Sequence, residues 1–251
     1  MTPQDHELNA LEPFASARAG VYQVVASLYL EPPSSVLIAA LLELAVSPAM
    51  AALSNGAAGD LLRRYAAGYH GEINELQQEF HDLFTVPLGR YVTPYEAVYR
   101  DERLVGEERV RGLLMGPSTV AVLQAYRDSG FAVSPQCKEL PDHIGVELSF
   151  LSSLCDRERQ RWEARDAPAA RLFLTHELRF LEDHLLRWVP ELARRTAANA
   201  RTLFFQGIAC LTEEFIQADA ATLSGVLSAH GIPPSMNSRR AMCHTQYAGG
   251  R

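Results

Sequence analysis

Three ionisable side chains and a proline crowd one short stretch, Glu139-Leu140-Pro141-Asp142-His143-Ile144-Gly145-Val146-Glu147-Leu148-Ser149-Phe150-Leu151. Proline suits the first turn of a helix, where its missing N–H costs nothing, and acidic groups there complement the unpaired amides and the dipole. Capping alone requires neither the histidine nor the later glutamate. His143 titrates near neutrality, and Glu147, four residues on, shares its helical face and can orient or charge it. Asp142, His143 and Glu147 could therefore serve as acid/base groups of a small-molecule or nucleotide hydrolase. The same spacing also describes a plain helix start with a surface His–Glu pair.

Other chemistries find less support. H-E-x-x-H is absent, and two ligands on one turn need further ligands that the chain does not identify, so no metal is expected. Cys137 lies six residues from His143, but no third group or nucleophile-like flank accompanies them. Lys138 follows no G-x-x-x-x-G, which leaves no phosphate loop and no expected cofactor. Cys137, Cys155, Cys210 and Cys243 form no C-x-x-C pair, as expected in a reducing compartment.

A second candidate lies upstream in Val86-Pro87-Leu88-Gly89-Arg90-Tyr91-Val92-Thr93-Pro94-Tyr95-Glu96-Ala97-Val98-Tyr99-Arg100-Asp101, read as a structured loop. Tyr91, Tyr95 and Tyr99 recur every four residues. Each offers an apolar ring and a hydroxyl, useful for gripping a peptide that is part apolar and part polar, and Glu96 between them can meet a basic residue. Core packing is the alternative, and for Phe80 and Phe84 it is the expectation.

These segments need a scaffold, and nearly every long stretch has helical periodicity. Helices are expected over Phe14–Leu30, from the Ser34/Ser35 cap to Val46, and over Glu72–Phe84, Glu107–Met115 and Ser118–Asp128, with Gly130 as a left-handed cap. Phe131–Lys138 reads as a connector. The motif helix follows, then one from Asp166 to Pro190, whose His184-Leu185-Leu186-Arg187-Trp188 end is assigned to the core. A last helical region spans about Glu191–His230. No convincing strand pair and no repeat appear. The expectation is an all-α, compact helical bundle in residues 1–235, with a mobile tail over 236–251. That tail contains Ser238-Arg239-Arg240 and Cys243-His244, read as solvated.

The 251 residues include 47% hydrophobic and 21% charged side chains, which indicates a globular protein. Its formal net charge of -7 argues against nucleic acid and anionic membranes and favours a basic partner. The most apolar window, Val36–Val46, is broken by Glu43 and falls short of a spanning helix. With no signal-like N-terminus, a cytoplasmic protein is expected.

Together, Pro94-Tyr95-Glu96-Ala97-Val98-Tyr99, Glu139-Leu140-Pro141-Asp142-His143 and Glu147-Leu148-Ser149-Phe150-Leu151 resemble the TorD/DmsD/NarJ family of redox-enzyme maturation chaperones. The family pattern has phenylalanines upstream, here Phe80 and Phe84, then a P-Y-E-S-V-Y-like loop, then E-x-P-D-H and E-L-x-F-M. Ala97 replaces the usual serine and Leu151 the usual methionine. His184–Pro190 resembles the family's H-L-x-x-W-x-P ending, so the likeness runs from about Phe14 to His230.

The resemblance implies a TorD-like, non-enzymatic chaperone. Such a protein would hold the apo catalytic subunit of a molybdopterin oxidoreductase, or its twin-arginine signal peptide, for cofactor insertion before export. It implies peptide-binding roles for Tyr95, Glu96, Tyr99, Glu139, Pro141, Asp142 and His143, and a less direct one for Glu147. It further implies two helical halves, about 14–130 and 139–230, joined by a hinge at 131–138. Exchange of such halves would give a swapped homodimer as an alternative to a monomer.

Overall fold

The computed structural model describes residues 3–46, 56–71, 73–105 and 108–229. Its centre is a pair of long helices, α1 (Pro3–Leu30) and α7 (Ile144–Glu163), packed along their lengths. Their close approach is built on Gly145: a Cβ there would lie 2.5 Å from Leu30 Cγ and 3.0 Å from the Ala26 carbonyl oxygen. Two segments far apart in sequence are thus sealed together at the start of the motif helix.

Before the aromatic loop come α2 (Ser35–Val46), α3 (Ala57–Gly68) and α4 (Ile73–Phe80), the last running into a π-helical turn at His81–Thr85. Ser34 caps α2 as expected, its Oγ accepting from the Leu37 amide at 3.2 Å. Beyond the loop lie α5 (Glu96–Arg100), strands β1 (Glu102–Val105) and β2 (Glu108–Arg111), and α6 (Pro117–Asp128). Gly130 takes φ 78°, the expected left-handed turn after α6. Then follow α7, α8 (Ala167–Phe180), a second π-helical turn at Leu181–Leu185, α9 (Leu186–Asn199) and α10 (Leu203–Ala229).

The fold is the expected all-α helical bundle, with local corrections. The chain forms an antiparallel pair, Glu102 opposite Arg111 and Val105 opposite Glu108, where a helix was expected from Glu107 and no strand pair at all. Four-residue strands are too short for their alternation to stand out. A helical turn, α5, closes the structured loop, where no helix was expected. The α8 to α9 run passes through Pro190 without stopping, because the ladder is already loosened by the π-helical turn just before it. The real break comes at Ala200, before α10.

One hydrophobic core joins residues from both halves of the sequence: Tyr22 and Tyr29 of α1, Phe80 and Phe84, Leu148 and Leu151 of α7, and Phe204, Phe205 and Phe215 of α10. Phe80 and Phe84 sit 5.7 Å apart edge to face, and Phe84 also meets Tyr29 and Phe205, which is the packing role expected of them. No described helix is long and apolar enough to cross a membrane. The tail with Ser238-Arg239-Arg240 and Cys243-His244 lies outside the described residues.

Candidate functional site

The aromatic loop and the motif segment meet backbone to backbone. Tyr95 and His143 form an isolated antiparallel bridge, with the Glu96 amide donating to the Asp142 carbonyl at 2.9 Å and the Ile144 amide to the Pro94 carbonyl at 2.9 Å. Pro94 disfavours a helix before it and so keeps the approach extended. Asp142 then turns its side chain onto the next helix: Oδ2 accepts from the Ala97 amide at 3.1 Å and caps α5.

The histidine is equally committed. His143 Nδ1 accepts from the Gly145 amide at 3.1 Å, making His143 the N-cap of α7. Burial holds its ring well below the ordinary histidine range, at about 4, so it is neutral near pH 7. No pair forms with Glu147. That carboxyl reaches instead toward α9, where Trp188 Nε1 donates to Oε2 at 3.3 Å. Burial first, then the charges of Glu96 and Asp142, push Glu147 far above the usual carboxylate range. Asp142 is also raised, again mainly by burial.

Glu96 completes this buried set. It accepts from Arg100 one turn on and faces His184 Nδ1 at 2.9 Å. Glu96, Asp142 and Glu147 are all 0% exposed, and Asp142 Oδ1 and Glu147 Oε1 have no hydrogen-bond partner. His184 of the second π-helical turn and Trp188 of α9, read from the sequence only as core, are the groups that hold this cluster. Their four-residue spacing, which puts them on one helical face, was the available signal.

The remaining site residues are partly accessible. Tyr95 donates its hydroxyl to Glu139 Oε2 at 2.5 Å, and its ring lies 5.1 Å from that of His143. Burial and the Glu139 carboxylate together push the Tyr95 phenol up, so it stays protonated. Pro141 is half-buried and its carbonyl accepts from Tyr126 at 2.8 Å. Tyr99 donates to the Thr93 carbonyl at 2.8 Å and packs against Trp188 at 5.3 Å, with the Arg195 guanidinium over its ring. The eight residues thus separate into an accessible edge (Tyr95, Tyr99, Glu139, Pro141) and a buried floor (Glu96, Asp142, His143, Glu147).

Two hollows flank this junction. A cleft of about 600 Å³ opens between α6 and α8, with Phe150 and Phe180 in its lining and Arg100, Asp183 and His184 beside the floor. A smaller apolar hollow of about 280 Å³ lies under the 131–134 segment, lined by Leu30, Phe131, Val133 and Val146 among others.

A second ion cluster lies deeper. Arg18 of α1 donates to Glu158 at 2.9 Å, Glu177 at 2.5 Å and Asp219 at 2.6 Å, tying α7, α8 and α10 to α1. Tyr22 adds a 2.5 Å bond to Asp219 and Trp162 one of 2.7 Å to Glu158. One cation faces three carboxylates, and burial lifts Glu177 to about 8. Cys155, Glu158 and Glu177 place donor atoms within 4.8 Å of one another, but Arg18 already holds both glutamates, so its charge opposes a metal ion there.

Comparison with known proteins agrees with the motifs. Residues 48–194, more than half of the chain, match the family described as nitrate reductase delta subunit. Over 151 residues the chain is 30% identical to the chaperone protein TorD of Photobacterium profundum, a match covering 60% of this chain and 65% of that protein. Over 153 residues it is 28% identical to TorD of Vibrio cholerae serotype O1, covering 61% and 64%. The matches span slightly less than two thirds of these relatives. A protein crystallised as a redox enzyme maturation protein from Archaeoglobus fulgidus superposes with a TM-score of 0.42 at 18% identity, covering 82% of this chain and 93% of that one, which is too loose to bear on the site. By its family match and by the two motifs that its fold joins, this chain belongs to the nitrate reductase delta subunit family, in which the TorD chaperones fall.

Proposed function

We propose that this chain is a non-enzymatic, cytoplasmic chaperone for the catalytic subunit of a molybdopterin oxidoreductase. It holds the apo subunit, through an N-terminal segment or twin-arginine signal peptide, until cofactor insertion is complete. One observation carries the reading: the Tyr95–His143 bridge joins the two family motifs into a single edge whose accessible groups are aromatic and acidic. Such an edge suits a segment with arginines followed by apolar residues. Carboxylate–guanidinium bonds would position the arginines, and desolvated apolar contacts would supply much of the affinity.

The site takes a definite form in this reading. Tyr95, Tyr99, Glu139 and Pro141 touch the client, and Glu96, Asp142, His143 and Glu147 hold those groups in place from below. An acid/base hydrolase has no comparable support, since His143 spends its acceptor nitrogen on the Gly145 amide and Glu147 lies sealed from solvent.

The 131–138 connector is the exchange point in the same reading. The α1/α7 packing would re-form between two chains if the halves were swapped. A pull-down from the native organism with mass spectrometry tests the function. Recovery of a molybdopterin oxidoreductase subunit supports it, and a client set without one contradicts it.

A further inference from the structure

A guanidinium already sits at the mouth of the buried carboxylate floor, and it belongs to this chain. Arg100 donates to Glu96 and to the Asp183 carbonyl, the latter at 2.7 Å. Its side chain is 31% exposed, whereas Glu96 beneath it is fully buried. Arg100 also helps to line the 600 Å³ cleft, together with Asp183, His184, Phe150 and Phe180.

Arg18 shows what a permanently seated guanidinium looks like in this fold. It is 3% exposed and bonded to three carboxylates at once. Arg100 reaches only one of the three carboxylates in its own cluster. Behind that one, Asp142 Oδ1 and Glu147 Oε1 are buried and unpartnered. The second arginine is therefore held by fewer carboxylates than Arg18, and it stands at an open cleft.

We propose that Glu96 and the adjoining cleft form a guanidinium seat in which Arg100 is an internal stand-in for an arginine of the client. The incoming arginine enters through the cleft, takes the Glu96 carboxylate and the Asp183 carbonyl, and displaces Arg100 toward solvent. Exchanging one guanidinium for another never leaves the buried Glu96 charge unpaired, which would otherwise oppose opening. Both Arg100 bonds come from one nitrogen, Nη1, and the weaker hydration of a guanidinium favours arginine over a lysine ammonium at this partly buried seat. The apolar walls at Phe150 and Phe180 would then receive the residues that follow. This inference rests on the reading that the chain binds an arginine-bearing client.

The test is titration of arginine amide and lysine amide into the intact chain and into R100A, followed by calorimetry near pH 7. The seat predicts that R100A binds arginine amide about ten- to a hundredfold more tightly than the unmodified chain does, the worth of hydrogen bonds to a charged group. Lysine amide should show no such gain. A folded R100A with no gain for arginine overturns the proposal. If R100A loses its helical circular dichroism, recovery of that signal by arginine amide and not by lysine amide supports the seat, and failure to recover overturns it. The chaperone reading fails separately: a wild-type chain that ignores arginine-bearing client peptides removes that reading, whereas peptide binding without an R100A gain removes only the seat.

Discussion

Asp142 caps a helix that begins 46 residues before it, its Oδ2 accepting from the Ala97 amide at 3.1 Å while its carbonyl accepts from the Glu96 amide at 2.9 Å. Both motifs therefore depend on one aspartate for their mutual position. Replacing it should disturb the aromatic edge even though Asp142 itself is sealed from any client.

Asp142→Ala leaves the Ala97 amide without its buried acceptor and should cost about 1–3 kcal/mol of unfolding free energy. Asp142→Asn keeps an acceptor oxygen and should cost less. Urea denaturation of the two variants checks the order. Equal stability in Asp142→Ala and the parent chain would contradict the cap.

The Arg18 cluster makes a paired prediction. Arg18→Met removes the shared partner of Glu158, Glu177 and Asp219 and should destabilise by about 3–5 kcal/mol. Glu177→Gln should be much milder near pH 7, because burial already keeps Glu177 protonated there. Denaturant midpoints for the two variants provide the comparison.

Stability should be greatest at about pH 4.5–6.5 and fall on either side of that range. Glu177 is raised from the ordinary carboxylate range to about 8, so its contribution is complete below about pH 4.5 and lost as pH rises through 8. His143 is lowered to about 4, so its contribution is complete above about pH 6.5 and lost as pH falls through 4. Thermal melts across pH 4–9 should show both limbs, with the alkaline limb reduced in Glu177→Gln and the acid limb reduced in His143→Asn.

Gly145→Ala should cost about 1–3 kcal/mol, since the new methyl would meet Leu30 and the Ala26 carbonyl and push α1 from α7. A melting temperature unchanged by this substitution would show that the helix pair can yield without strain.

The helical class and the two motifs were legible because periodicity, Pro94 and Pro141, and the aromatic spacing are local signals. Helix starts were less legible, for a shared physical reason. Ala58 at the start of α3 is capped by Glu214, Ala97 in α5 by Asp142, and Thr202 before α10 by Glu79. Each carboxylate comes from elsewhere in the chain, beyond the reach of local capping rules. The same non-locality hid the floor of the site. Glu147 was read against His143, its neighbour in sequence, but folding pairs it with Trp188 and sets it beside Glu96.

The most direct measurement is isothermal titration of the chain with a twin-arginine signal peptide of a molybdopterin oxidoreductase, and with the same peptide carrying lysine for both arginines. The account predicts saturable binding of the arginine peptide, weaker binding of the lysine form, and a loss of about tenfold or more in Tyr95→Ala and Glu139→Ala that leaves helicity intact. Equal affinity for both peptides, or full affinity in both folded variants, would contradict it.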